Sequence, residues 1–422
     1  MQRRAFLKKV ALSNLLIAFG GGFSCNQALA RIPGTVTWGG VYPLGNKNSL
    51  PHVTGALSLA TDEGITFNNL MLSELREINW SIASVDLRTG LKRKLTRYGL
   101  VMAFAYERVL TDLYSPKLDA TQFDLRLIAY TILYDVEGRK VIAAFANRYR
   151  FFDSRPGDAA SNDLASLYFD LMISDDGTLN LPKQAAKDIS DFPFALKYRG
   201  KTFKVTSITG SKFAEEGASA LGMGLMPYYD DIGFVATCAF SEKLLSPVIP
   251  YEKTRALTTD LIGEMKILAT DGEGPLNTSL PLPEPEVAIS IFHDGWDFKE
   301  KSLSEQRTQV TLATSFTISF TDQESGTLLY KQGFFGQQDF VEIDSIGYKI
   351  SRGARIYRMH EALLDRALLS IADPATRGAL FDGINVKNES EHTFLQAVEE
   401  DWDHFTSQNE TIYSLLPRAF GE

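Results

Sequence analysis

Apolar and polar positions alternate along two stretches of the chain that lie far apart and follow a similar order. The first begins with the apolar run 101–106 and continues through 123–134, where Ile128, Tyr130, Ile132 and Tyr134 alternate with other residues. An acidic turn, Asp135-Val136-Glu137-Gly138, leads into 140–152, and strand, turn and strand together predict a β-hairpin. Leu164, Leu167, Tyr168 and Leu171 then recur at helical spacing behind Ser161 and Asn162 as caps. The second stretch begins with 287–292. Val310, Leu312, Thr314, Phe316, Ile318 and Phe320 follow in strict alternation, with Thr317 and Ser319 on the opposite face. A turn over 322–326 leads to another strand-like run, 327–330. Ile356, Met359, Leu363, Ala367 and Ile371 form one helical stripe that Pro374 stops.

The two stretches keep a nearly constant offset. Val101 to Val287 and Tyr134 to Phe320 are each 186 residues, and Gly138 to Gly326 is 188. One reading is an internal duplication of a strand–hairpin–helix unit; the other is two unrelated segments of the same class. Either way the pattern predicts an α+β protein of two linked units, each a mainly antiparallel sheet with helices on one face. Residues 31–50, rich in Gly and Pro, read as irregular. The glycines and proline of 213–231 mark the boundary between a first domain, 31–215, and a second, 216–422. The prolines of 271–285 read as an extended connection. Phe394, Leu395, Val398, Trp402 and Phe405 suggest a carboxy-terminal amphipathic helix, with Asn388 and Glu391 at capping-box spacing.

The amino terminus has a different pattern. Arg3, Arg4, Lys8 and Lys9 precede a mostly apolar run, 10–23, and small residues follow up to Ala28-Leu29-Ala30. A charged segment, a short apolar segment and an A-x-A site make a cleavable export signal, residues 1–30, with Ala28 and Ala30 setting the cleavage point. The apolar run is shorter than the roughly 20 residues that span a bilayer. Arg3-Arg4-Ala5-Phe6-Leu7-Lys8 resembles the twin-arginine signal family, whose core is R-R-x-F-L-K, and Arg3, Arg4, Phe6, Leu7 and Lys8 match its fixed positions. The resemblance covers only this signal and implies export through the twin-arginine route to the periplasm or beyond. An ordinary secretory signal is the alternative. Cys25 raises the question of a lipid anchor, but Gly22 and Phe23 before it do not suit a lipobox.

Composition narrows the partners. Taking the four basic signal residues from 43 Lys and Arg leaves 39 against 52 Asp and Glu, a balance of −13. That excess of negative charge argues against nucleic acid and anionic lipid, which both need a basic surface. At 44% hydrophobic and 23% charged residues, the chain is composed like a folded globular protein. No later apolar run reaches membrane-spanning length, so no span is expected after the signal. With Cys25 in the signal, Cys238 stands alone, and no disulfide forms within the exported chain. A disulfide-free exported protein fits folding in the reducing cytoplasm before transport, which the twin-arginine route permits. Cys238 sits in the strand-like run 234–240 and reads as a buried, inert thiol.

Candidate chemistry is sparse. His293-Asp294 closes a strand and precedes Gly295-Trp296-Asp297. A histidine and two carboxylates at a strand end suit acid–base work, and Asp-Gly turn chemistry explains the same residues without it. His52, His360, His392 and His404 form no metal spacing. His392 and His404 would lie about 18 Å apart on one helix, too far for a single ion. Gly217-Ala218-Ser219-Ala220-Leu221 lacks the final glycine of a nucleophile elbow, and no Lys-Ser/Thr follows Gly224 to make a phosphate loop. Tyr228-Tyr229-Asp230-Asp231 reads as an exposed turn before a strand at Ile232.

Three classes of function remain. The first is a non-catalytic envelope protein that binds a protein partner or assists assembly, because strand–turn–strand units followed by a helix look like accessory domains of bacterial envelope machines. The second is a hydrolase using His293, Asp294 and Asp297. The third is a cofactor-binding protein, for which no ligand cluster is present; no cofactor or metal is expected. The first is favoured over an enzyme.

Overall fold

The first half of the chain runs β1 (Thr35–Pro43), α1 (Pro51–Ser58), α2 (Phe67–Glu77), β2 (Ser84–Asp86), then a meander of β3 (Tyr98–Ser115), β4 (Ala120–Asp135) and β5 (Lys140–Pro156), then α3 (Leu164–Ile173) and α4 (Leu181–Asp191). After the short β6 (Tyr198–Arg199), the second half repeats the order. It has β7 (Phe203–Gly210), α5 (Lys212–Ala220), α6 (Leu225–Leu244), the two-residue strands β8 (Lys266–Ile267) and β9 (Leu276–Asn277), and a meander of β10 (Val287–Ser304), β11 (Arg307–Asp322) and β12 (Leu328–Ile343). Helices α7 (Arg352–Ala372) and α8 (Pro374–Asp382) follow, and the chain ends with β13 (Ile384–Asn388), β14 (Glu391–Val398), α9 (Trp402–Leu415) and β15 (Arg418–Ala419). This computed structural model describes residues 35–44, 50–78, 84–86, 97–115, 119–135, 137–138, 140–157, 164–173, 180–220, 224–251, 266–267, 276–277, 282–343, 352–388 and 391–419. Residues 1–30, read as an export signal, and most of the 271–285 connection lie outside them.

The protein is α+β and its two main sheets are mainly antiparallel. The first has the order β2-β1-β3-β4-β5 and the second β13-β14-β12-β11-β10-β7. In each, the strand that opens the unit lies parallel to the first strand of the meander, β1 on β3 and β7 on β10. The two meanders and the helix after each start 189, 187, 188 and 188 residues apart. The repetition is one of element order and strand pairing. Both β4–β5 and β11–β12 turns use an aspartate in the same way: Asp135 Oδ1 accepts from Gly138 N and Asp322 Oδ1 from Ser325 N, each at 2.9 Å.

The layers explain the burial pattern. Helices α1 to α4 pack on one face of the first sheet, against Leu100, Met102, Phe104, Leu125, Leu127 and Phe145. Its other face presents Val101, Ala103, Ile128, Tyr130, Ile132 and Tyr134 to α6, and that core continues through α7 to Phe316, Ile318 and Phe320 of the second sheet. Both faces of the first sheet are therefore covered, where the sequence predicted one. That is why β4 reads almost continuously apolar while β11, covered on one face, alternates cleanly. The long edge strand β5 is closed by the end of α6. Ser241 Oγ accepts from Ala146 N, Glu242 Oε1 from Arg148 N, and Val248 N donates to Ala144 O, each at 2.9 Å. Those bonds remove an open edge that would otherwise pair with another chain.

Several expectations need correction. Residues 35–43, expected to be irregular, form β1. The 216 boundary falls inside α5, and 203–210 belong to the second sheet through β7–β10 pairing, so the unit begins before Phe203. Tyr228, Tyr229, Asp230, Asp231 and Cys238 lie in helix α6 and are buried, not in a turn or strand. A helix packed between two sheets is apolar on all sides and loses the amphipathic period that would mark it. The carboxy-terminal helix begins only at Trp402, capped by Asp401, whose side chain accepts from Asp403 N and His404 N. Phe394, Leu395 and Val398 stand instead on strand β14, so His392 and His404 share no helix.

Candidate functional site

The residues His293, Asp294 and Asp297 fall on β10, at and beyond a bulge. The register against β11 slips between His293 and Gly295. Gly295 adopts φ +136°, a region closed to other L-residues, and a Cβ there would sit 2.9 Å from Phe213 Cβ. The β7–α5 turn clamps the bulge from that side: Ser211 N donates to His293 O at 2.9 Å and Ser211 Oγ bonds Asp294 O. His293 faces the core, fully buried, while Asp294 is exposed on the opposite face. Asp297 lies further along, 67% exposed and 3.5 Å from Lys299 Nζ. The three residues therefore do not assemble into an acid–base site, because successive strand residues alternate faces and place the imidazole and the Asp294 carboxylate on opposite sides of the sheet.

His293 belongs to a sealed polar cluster with His360 of α7, Thr314 of β11 and Tyr228 of α6. Tyr228 Oη lies 3.3 Å from His293 Nδ1, and Thr314 Oγ1 is 3.0 Å from His293 Nε2 and 3.2 Å from His360 Nε2. Thr314 Oγ1 donates its single proton to Gly295 O at 3.2 Å. The hydroxyl then accepts from both Nε2 protons, and Tyr228 donates to the free His293 Nδ1. Both rings are neutral in this arrangement. Burial lowers the His293 imidazole to about 4, and burial beside His293 holds His360 well below its ordinary value. Burial likewise pushes the Tyr228 phenol up. All four residues are buried, and their bonds tie α6 and α7 to the sheet.

On the opposite face the second sheet carries a trough of about 980 Å³. Its shape follows from side-chain size along cross-strand rows. One row reads Phe292, Thr317, Gly333, Val398 across β10, β11, β12 and β14; the next reads Ser315, Phe335, Gln396. Ser315, Thr317 and Gly333 of the two central strands make the floor beside Phe335 of β12, and Asp294 of β10 with Gln396 and Val398 of β14 stand around it. Gly333 keeps the floor low: a Cβ there would come 3.3 Å from Val398 Cβ. Asp294 reaches into the trough from the bulge and accepts from the Ser315 and Thr317 hydroxyls; burial still holds its carboxyl above the ordinary value. Glu399 and Glu400 close the far end. Sequence reading missed this site except for Asp294. Its one visible signal was the hydroxyl-bearing outer face of β11, Thr317 and Ser319.

The remaining singled-out residues lie elsewhere. His52 stacks on Tyr168 at 5.8 Å, and His404 bonds Gln408 at 2.8 Å on α9. Cys238 is fully buried in α6, and burial pushes its thiol well up, so no reactive thiolate forms. Among the described residues, no group of three or more His, Cys, Asp or Glu is placed to hold a metal ion, and no helix is long and apolar enough to cross a membrane. No protein family matches the chain, and no curated protein matches it either.

Proposed function

We propose that this chain is an exported envelope protein that acts by binding a protein partner on the open face of its second sheet, without catalysing a reaction. The observation that carries the reading is the trough. It is the concave, half-buried surface formed by four strands, and it mixes apolar walls with hydroxyl, amide and carboxylate groups, as binding surfaces do. The proposed route of export is the twin-arginine one, supported by Arg3, Arg4, Phe6, Leu7 and Lys8.

Two measurements test the two parts. Fractionation of cells expressing Arg3→Lys/Arg4→Lys chain should leave the protein in the cytoplasm with its signal uncleaved; normal export of that variant would refute the twin-arginine route. For the binding face, a photo-crosslinking side chain placed at Ser315 should give a discrete protein adduct in the envelope, and the plug Thr317→Trp should abolish it. An adduct that persists unchanged with the plug, or that forms equally from exposed Lys187 on α4, would remove the trough as the binding surface. Lys187 is a fair control because it stands on the far side of the first sheet, is 74% exposed and pairs with Asp191 at 2.8 Å.

A further inference from the structure

We infer that the trough binds an extended, basic peptide segment of the partner, whose Lys or Arg side chains meet Asp294, Glu399 and Glu400 while its apolar residues rest on Phe335 and Val398. The inference rests on the binding reading above and specifies its ligand.

Charge complementarity selects this occupant. Several buried carboxylates elsewhere in the protein have cations. Asp124 has Arg150 and Arg358, Glu242 and Asp365 share Arg148, Asp135 has Arg97, Asp322 has Lys201 and Asp231 has Arg108. The three trough carboxylates are the contrast. Among the described residues no Lys, Arg or His pairs with Asp294, Glu399 or Glu400; Asp294 accepts from the Ser315 and Thr317 hydroxyls and a backbone N–H, and Glu399 Oε1 accepts from Glu400 N and Asp401 N. Lys331, opposite Ser319 one row beyond Thr317, and Lys299 and Lys301, further along β10 opposite Thr311 and Gln309, share this face and make no ion pair with the three carboxylates among the described residues. A concave site holding negative charge without a counter-ion favours a cationic ligand and rejects an anionic one, and gains most from it at low ionic strength.

The walls fit a chain better than a single cation. Val398 of β14 is 63% exposed beside Glu399 and Glu400, and Phe292 of β10, 41% exposed, ends the same cross-strand row outside the trough lining, so apolar surface flanks the floor across the strands. A peptide strand alternates its side chains at a period of two, which lets charged and apolar groups take opposite sides of the floor. The small residues Ser315, Thr317 and Gly333 leave the depth for its backbone.

The test uses the full exported chain and a fluorescein-labelled heptapeptide, Lys-Leu-Lys-Phe-Lys-Leu-Lys, followed by fluorescence anisotropy. The peptide should bind at low salt, weaken as salt rises, and bind about tenfold less tightly to Glu399→Gln/Glu400→Gln, the scale of two half-exposed charge pairs. Thr317→Trp should abolish binding, and the same peptide with Glu for Lys should not bind at all. Equal binding by the Glu peptide, or no effect of the glutamine pair, overturns the cationic ligand. Chitotetraose binding that is lost with Thr317→Trp, with no peptide binding, also overturns it and makes the trough a saccharide site. In both cases loss of the Ser315 crosslink with Thr317→Trp would leave the binding face standing, so the two failures are distinguishable.

Discussion

Replacing Asp124 with Ala should lower the free energy of unfolding by about 3–5 kcal/mol, the cost of removing one partner from a buried ionic group. The effect reads directly in the urea midpoint. Asp124 lies on β4, fully buried. Its Oδ1 accepts from Arg150 Nε of β5 and its Oδ2 from Arg358 Nη2 of α7, each at 2.8 Å. Arg126 Nε sits 4.0 Å away, and Arg126 also bonds Glu361 and lies over the Tyr357 ring at 4.4 Å. Burial pushes the Asp124 carboxyl up, and the arginine bonds outweigh it, so the group lies below its ordinary value and is ionised. Alanine would leave three guanidinium groups beside an empty position where water is scarce. Asp124→Asn should cost less, because the amide oxygen still accepts one of the bonds. Lys187→Ala should change stability by less than about 0.5 kcal/mol, because its pair with Asp191 is solvated. Since Asp124 ties β4 to α7 of the other half, equal losses in the two variants would mean that the ionic network does not join the halves.

The fold was legible where each element had one buried face. β11 announces itself through Val310 to Phe320 because only its inner side meets the core, and α7 through Ile356 to Ile371 because that stripe is apolar while Arg358, Glu361 and Asp365 meet the charged groups of the first sheet. The constant offset between the meanders was readable from those elements alone. Legibility failed where burial was two-sided or divided among distant segments. Helix α6 is buried from Tyr228 to Ser241 without a break, so its sequence has no polar face to betray a helix. Phe394, Leu395 and Val398 fit a helical stripe, yet on β14 Leu395 faces in while Val398 faces out. Asp124 and Arg126 look like the polar positions of a half-exposed strand, and only the arrival of α7 from more than two hundred residues away buries them. The trough is the extreme case. Its floor and walls come from four strands, and each residue alone, a serine, a threonine, a glycine, is ordinary on the outer face of a sheet. That His293 and Asp294 face opposite ways follows from strand alternation alone, whereas the bulge at Gly295, which sets Trp296 opposite Thr314, shows only in the register.

The His293–His360 cluster gives the second large effect, a loss of stability in mild acid. Burial sets the folded value of His293 at about 4, below the 6.5 of a free imidazole. Between those values the unfolded chain binds a proton that the folded chain refuses, so stability falls as pH falls from about 6.5 towards 4. Two and a half units correspond to roughly 3 kcal/mol from His293, and His360, lowered by burial and by His293, adds in the same direction. Protonation also breaks the bonding order, since Nδ1 of a charged His293 would face the Tyr228 hydroxyl as a second donor. Asp188 opposes this trend. Burial raises its carboxyl to about 6, so it adds stability as pH falls from there towards 3.8. The total pH profile is therefore a poor readout, and the difference between chains is a good one. His293→Asn should be less stable than the original chain at pH 7, where the neutral ring is well packed. The gap should close by about 3 kcal/mol by pH 4, where the original has lost the His293 contribution and the variant has none to lose. A gap that stays constant across that range would mean that His293 is already free to protonate in the folded protein.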